Sequence, residues 1–516
     1  MSIPKPPPVS APEGPVTSST GETLPDYDTV YWFDELIDHD NPSLGTFQQR
    51  YWYNVEYYED GGPIIVFTPG EVNADGYEGY LTNATVNGLI AQKFGGATVM
   101  YEHRYYGESN PYNNLSVASL KYHTIEQAVQ DQVYFARNVN LSLIPGGPDH
   151  GPDTTPWILV GGSYSGALVS WTMVNQPDVF FAGYASSAVV EAILDFWRYF
   201  QPIEENMPKN CSIDVQRVIA YIDQTFNGTN QTAIDDIKDL FGLSTMTHLD
   251  DVAGALRNNL WDWQSLTVYS GGGEFYTFCD ALEVAENGTI ADENGWGLEH
   301  ALPAWGNFWT ESYYEYICGD DGAEDCLGTY NASQSYWTNI SVNNADRSWY
   351  WIVCNEVGFL QDGPPEWYPA IVTRLVQPVY DLRQCQMMFP EAFPDGYPHV
   401  AVNATDELYE GWNVRENHLV FGNGRNDPWR ESTVSASTVN VPSTEEQPIG
   451  FSDGFHCNDL ITLAGEIDPS IAAVQQLGLD SIQRWLESYN TTQNEKRADQ
   501  QSIVSKRAEF VRDTSW

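Results

Sequence analysis

Trp157-Ile158-Leu159-Val160-Gly161-Gly162-Ser163-Tyr164-Ser165-Gly166 is an apolar run that ends in small residues around a serine. Its first four residues read as a buried strand, and the residues after Ser163 are compatible with a helix. A strand that turns sharply into a helix needs small residues at the corner, because the backbone there passes through dihedrals that bulky side chains resist. Such a turn lifts the serine hydroxyl clear of its strand, the placement a nucleophile requires. The run departs from Gly-x-Ser-x-Gly in one place, since Ser165 stands where the second glycine belongs. Serine is nearly as small, so the turn is expected to survive. On this motif alone, a strand-to-helix turn with no chemistry is the competing reading.

The flanking sequence supplies the rest of a sheet. Pro63-Ile64-Ile65-Val66-Phe67-Thr68 reads as a strand ending in the turn Pro69-Gly70, and Ala97 to Tyr101 as another. Between them and Ser163, Thr124-Ile125-Glu126-Gln127 has the form of a capping box and predicts an amphipathic helix through Arg137. Strands alternating with helices argue for a parallel sheet covered on both faces. The texture changes from 191 to 395: six of the seven cysteines, many Trp and Tyr residues and helical patterns such as 233–241 lie there without β-α alternation. Strand signals return at His418 to Phe421, and a last helix is predicted from Ile471 to Tyr489. The fold class is therefore α/β, an α/β-hydrolase core with an inserted, mostly helical cap. The expected divisions are a flexible Pro/Ser/Thr-rich leader at 1–25, a first core part at 26–190, the cap at 191–395, a second core part at 396–490 and a polar tail at 491–516. Dibasic pairs at Lys496-Arg497 and Lys506-Arg507 are processing candidates, with ordinary solvated charge the plainer reading.

Partners for Ser163 follow in chain order. α/β-Hydrolases present nucleophile, acid and histidine after successive strands. Asp427 lies on a turn in Gly422-Asn423-Gly424-Arg425-Asn426-Asp427-Pro428-Trp429, and His456 on a loop in Gly450-Phe451-Ser452-Asp453-Gly454-Phe455-His456. The long gap before Asp427 accommodates the cap. His103, between Glu102 and Arg104, reads as part of a buried structural network; His418 lies on its strand. His39, His123, His150, His248, His300 and His399 have no suitable neighbours.

Several segments resemble the family of lysosomal Pro-X carboxypeptidase and dipeptidyl peptidase II, and within it most of all the secreted fungal acid prolyl endoproteases. They are FTPGEVNADGYEGYLTN (67–83), EHRYYGESNPY (102–112), TIEQAVQD (124–131), GGSYSGAL (161–168), EAILDFWRYFQPI (191–203), NGRNDPWR (423–430) and GFHCNDL (454–460). Mammalian-type members carry Gly where this chain has Ser165 and His where it has Cys457. The resemblance implies an α/β-hydrolase with a helical cap, the triad Ser163, Asp427 and His456, and cleavage after proline at acidic pH. Proline-containing peptides or proteins are then the expected substrates.

In that reading His456 takes the Ser163 proton and Asp427 fixes the imidazole tautomer. The backbone N–H of Tyr164 and one from the Gly70–Glu71 turn are the expected oxyanion donors. Glu71 and Glu356 are candidates for contacting substrate polar groups, and Trp351 and Trp429 for lining an apolar proline slot. Surface carboxylates and core aromatics are the competing readings. Acid activity sets a problem, because an ordinary imidazole is protonated near pH 4 and cannot act as a base. Burial lowers such a pKa and a neighbouring Asp raises it.

Charge and sequons point to the compartment. With 71 acidic and 23 basic residues the formal net charge is −48, which excludes nucleic acid and anionic membranes as natural partners. Near pH 4 roughly half of the carboxylates are protonated and most self-repulsion disappears. Asn-x-Ser/Thr sequons at Asn83, Asn114, Asn140, Asn210, Asn227, Asn230, Asn287, Asn331, Asn339, Asn403 and Asn490 predict a secreted glycoprotein. The first twenty residues lack an apolar signal region, which suggests a natural signal replaced by a starting Met. No apolar run is long enough to span a membrane. The cysteines have no metal-site spacing, so disulfides Cys211–Cys279, Cys318–Cys326 and Cys354–Cys385 are expected, with Cys457 left free. No metal or cofactor is expected, and the oligomeric state is open. The alternatives are a proline-directed exopeptidase, an acidic secreted glycosidase using paired carboxylates, and a pseudo-enzyme binding module.

Overall fold

The computed structural model describes residues 3–145 and 149–489. Its strands are β1 (Tyr31–Leu36), β2 (Thr46–Asn54), β3 (Ile64–Phe67), β4 (Ala97–Tyr101), β5 (Trp157–Gly162), β6 (Ala182–Ser186), β7 (Ile193–Asp195), β8 (Gly358–Leu360), β9 (Leu419–Gly424) and β10 (Ile449–Ser452). Eight of them form one sheet in the order β1-β2-β4-β3-β5-β6-β9-β10, with β7 and β8 paired separately. β2 runs antiparallel to β1 and β4, and every pairing from β4 to β10 is parallel. One antiparallel strand in an otherwise parallel sheet, with β3 and β4 exchanged, is the α/β-hydrolase arrangement.

Burial explains the unbroken apolar runs. β3, β4 and β5 are buried along their whole length, as strands covered on both faces must be. Alternate residues serve opposite layers. Ile64, Val66, Val99 and Leu159 enter one apolar core, under helices Ile125–Asn138 and Tyr164–Asn175. Ile65, Phe67, Met100, Ile158 and Val160 enter the other, under helix Val86–Phe94 and the helical residues 469–489. Thr124 caps its helix by accepting the Gln127 N–H at 3.2 Å. The reciprocal half of the expected capping box does not form, because Gln127 Oε1 accepts the His39 N–H instead.

Between β6 and β9 the chain is helical apart from β7 and β8. Its apolar residues, among them Ile219, Phe278, Trp305 and Val353, continue the first of the two cores, so the inserted helices and one sheet layer share a single interior. Three disulfides staple this stretch, Cys211–Cys279, Cys318–Cys326 and Cys354–Cys385, and Cys457 is free and buried. Among the described residues no helix is long and apolar enough to cross a membrane.

The segment 3–25, expected to be a flexible leader, instead lies against the body. Val16 is buried, Thr17 bridges Thr23, and the Tyr77 and Tyr80 hydroxyls bond the Pro6 and Pro7 carbonyls. Prolines cannot donate hydrogen bonds, but their carbonyls and rings supply the contacts that the composition did not reveal. The polar tail and its dibasic pairs lie outside the described residues.

Candidate active site

Ser163 sits between β5 and helix Tyr164–Asn175 with φ 65° and ψ −125°. A serine in this region is strained by about 1–3 kcal/mol, held only where its surroundings impose it. The small residues show how. A Cβ on Gly161 would lie 2.2 Å from the Ser165 carbonyl oxygen, and one on Gly166 2.7 Å from that of Ser186. Ser165 does more than fit: its Oγ accepts the Gly162 N–H at 3.0 Å and donates to the Gly162 carbonyl at 2.8 Å. The residue that breaks the motif thus clamps the turn.

Asp427 follows β9 and His456 follows β10, at the same end of the sheet as Ser163. His456 Nε2 lies 2.7 Å from Ser163 Oγ, and Nδ1 lies 2.8 Å from Asp427 Oδ1. Asp427 Oδ1 also accepts the Trp429 N–H at 2.8 Å, which holds the carboxylate plane. All three side chains are buried. Next in sequence, Cys457 has φ 55° and donates its N–H to Ser187 Oγ at 2.9 Å, which pins the turn that carries His456.

Gly70 has φ 78°, and a Cβ there would stand 3.3 Å from Ser165 Cβ, so the turn after β3 lies against the serine turn. Its N–H donates to Thr68 Oγ1 at 3.3 Å, which draws it away from an oxyanion role. The Tyr164 N–H donates at 3.2 Å to the carbonyl of Pro4. Glu71 is fully buried with neither carboxyl oxygen hydrogen-bonded. Burial drives its pKa well above the usual carboxylate range, with its own backbone N–H and then Lys5 opposing.

The remaining expected residues divide. Trp429 is brought to the site: it is fully buried, tilted over His456 at 6.4 Å, and in ring contact with Phe196, Tyr199 and Phe359. Trp351 packs against Phe389 at 5.1 Å as a core aromatic. Glu356 lies in a π-helical turn, Val353–Val357, and accepts the Ile125 N–H at 2.8 Å, so its carboxylate caps helix Ile125–Asn138. Burial raises its pKa to about 7, Ile125 opposing and Glu126 adding. His103 Nδ1 donates to the Arg104 carbonyl at 2.8 Å, which leaves Nε2 of the neutral ring to accept the Tyr164 hydroxyl at 3.2 Å, and burial lowers its pKa to about 4. Phe196, Tyr199, Phe359 and Gln264 were not identified from sequence. The first two fall inside EAILDFWRYFQPI, but nothing in that segment marks which rings turn toward the serine.

Of the sequon asparagines, Asn83, Asn140, Asn227, Asn230, Asn287, Asn331, Asn339 and Asn403 are exposed, while Asn114 and Asn210 are partly buried. Asn490 lies outside the described residues.

Comparison with known proteins places residues 35–477 in a match to the family described as serine carboxypeptidase S28. The chain is 36% identical over 472 residues to a protein named serine protease vicPa of Bipolaris victoriae (strain FI3), covering 88% of each. It is 35% identical over 477 residues to serine protease vicPb of the same organism, covering 89% of each. A probable extracellular serine carboxypeptidase of Arthroderma benhamiae is 31% identical over 421 residues, which cover 77% of this chain and 57% of that protein.

Proposed function

The chain belongs to the serine carboxypeptidase S28 family and is a serine peptidase, and from that premise we propose that it is a secreted endopeptidase cleaving after proline in acid, through Ser163, His456 and Asp427. The observation that carries this reading is the continuous Asp427–His456–Ser163 chain, at 2.8 and 2.7 Å, on a strained serine turn. His456 Nε2 takes the Ser163 proton as Oγ attacks the carbonyl carbon. Asp427 keeps the other ring proton on Nδ1 and stabilises the imidazolium. The oxyanion falls to the Tyr164 N–H, with the Glu71 N–H as second donor; each is worth about 3 kcal/mol in the transition state. His456 then protonates the leaving amine, and water, deprotonated by the same imidazole, releases the acyl group from Ser163. The rings of Trp429, Phe196, Tyr199 and Phe359 offer an apolar wall for a pyrrolidine. Membership of a serine peptidase family removes the glycosidase alternative.

Exposed sequons, three disulfides and a relative named extracellular support secretion. The word carboxypeptidase in the family description favours one second reading, removal of residues from a C-terminus. Digestion at pH 4 of a peptide blocked at both ends and carrying one internal proline separates them. The endopeptidase cuts it after the proline, an exopeptidase leaves it whole, and Ser163→Ala should cut nothing. Residual cleavage in that variant, or cuts away from proline, would sink the mechanism or the specificity respectively.

A further inference from the structure

The N-terminal segment threads past Ser163 and His456. The Pro4 carbonyl accepts the Tyr164 N–H, the group assigned above to the oxyanion. One residue earlier, the Ile3 carbonyl accepts Gln264 Nε2 at 2.6 Å. The Gln264 amide is already oriented for this, because its Oε1 accepts Trp429 Nε1 at 2.6 Å and the Tyr199 hydroxyl at 3.1 Å. Beyond Pro4, the Tyr77 hydroxyl donates to the Pro6 carbonyl at 3.1 Å and the Tyr80 hydroxyl to the Pro7 carbonyl at 2.9 Å. The Gly79 N–H donates to the Val9 carbonyl at 2.7 Å. Gly79 makes the room: a Cβ there would lie 2.5 Å from the Val9 side chain and from its carbonyl oxygen. Pro4 and Pro6 are buried while Lys5 between them is exposed. A pocket walled by Lys5, Pro6, Asp262, Tyr316 and His456 opens beside them.

We propose that this tract is the enzyme's extended peptide groove and that residues 3–9 occupy it in cis as a substrate mimic, Pro4 standing where the proline before the cut stands. Gln264 grips the carbonyl preceding that proline. Tyr77 and Tyr80 grip the second and third carbonyls beyond the scissile bond. The inference rests on the reading of Ser163 and Tyr164 given under Proposed function and extends it to substrate length. Each donor meets a backbone carbonyl, which every residue provides, so the groove selects an extended chain rather than a side-chain sequence. Continued contact five residues past Pro4 suits a polypeptide that runs on after the cut. The Pro6-Pro7-Pro8 run favours the polyproline conformation before docking, so the segment loses little entropy on binding.

Binding is best read in full-length Ser163→Ala, where turnover does not enter. The probes are a synthetic decapeptide with one internal proline followed by five residues, and N-acetyl-Ala-Pro-amide, titrated by calorimetry at pH 4.5. Replacing residues 3–9 with Gly and Ser should tighten decapeptide binding at least tenfold, and Pro4→Ala alone should move it the same way by less. In the replaced chain, Tyr77→Phe with Tyr80→Phe keeps the ring packing and should weaken the decapeptide about tenfold. The short amide should be unaffected. Equal decapeptide affinity with and without the native segment, or equal losses for both ligands, overturns the proposal. If these bindings hold while an otherwise native Ser163→Ala chain retains hydrolysis, the triad reading fails and the groove stands.

Discussion

Ser163 stands at φ 65° in a turn whose backbone is tied by the Ser163 N–H to the Ser186 carbonyl at 2.8 Å. The chemistry depends on two single residues near it. Asp427 hydrogen-bonds His456 and not Ser163; under the proposed mechanism it orients the imidazole, so Asp427→Asn should lower kcat about 10⁴-fold with KM changed little. Steady-state kinetics on a prolyl p-nitroanilide reads this, and a KM effect alone would point to a binding role. Ser165 clamps the turn with two hydrogen bonds to Gly162. Ser165→Ala should therefore cost about 1–2 kcal/mol of unfolding free energy, visible as a lower urea midpoint. An unshifted midpoint would mean that the clamp is idle and only the size of the residue matters.

At the level of elements, the strands read directly from apolar runs and the inserted helices only as texture. β4 coincides with the predicted Ala97 to Tyr101, and β3 starts one residue later than expected. Parallel strands buried on both faces admit little but apolar residues, so their signal is dense. Glu356 shows the opposite case. Sequence offers it as a candidate for contacting substrate polar groups, yet its carboxylate caps helix Ile125–Asn138, a neighbour only in three dimensions. Its pKa of about 7 lies above the unfolded value near 4.3. The native state therefore binds the extra proton between those values, and the stability this contributes is present below pH 4.3 and lost as pH rises through 7. Glu356→Gln should flatten that part of the stability profile and leave kcat/KM unchanged. A profile as steep as that of the parent would place the titration elsewhere.

The whole molecule repeats this pattern. Burial, the largest cause in each case, raises Asp262, Glu283 and Asp406 to about 7 and drives Glu71 and Asp362 well above their ordinary values. Each stabilises the fold in acid and destabilises it toward neutrality by the same sign. Buried His103 and His123, both held below the ordinary imidazole range by burial, work against them as pH falls below about 6.5, as do Asp131 and Asp468, whose pKa values are lowered, but these groups are fewer. With a formal net charge of −48 at pH 7, repulsion also grows as carboxylates ionise. The thermal midpoint should thus be higher at pH 4.5 than at pH 7.5, checked by calorimetry, and the reverse order would show that the buried carboxyls ionise without cost. What the sequence by itself determined was the sheet and the placing of Ser163, Asp427 and His456, because each follows a strand whose apolar run and terminal turn are local signals. Tertiary structure alone decided that Trp429 and not Trp351 joins the site, that Glu356 is a cap, and that the proline-rich N-terminus lies across the serine. Those outcomes depend on contacts between residues far apart in the chain, whose apolar or polar character fits many neighbours equally well until packing selects one.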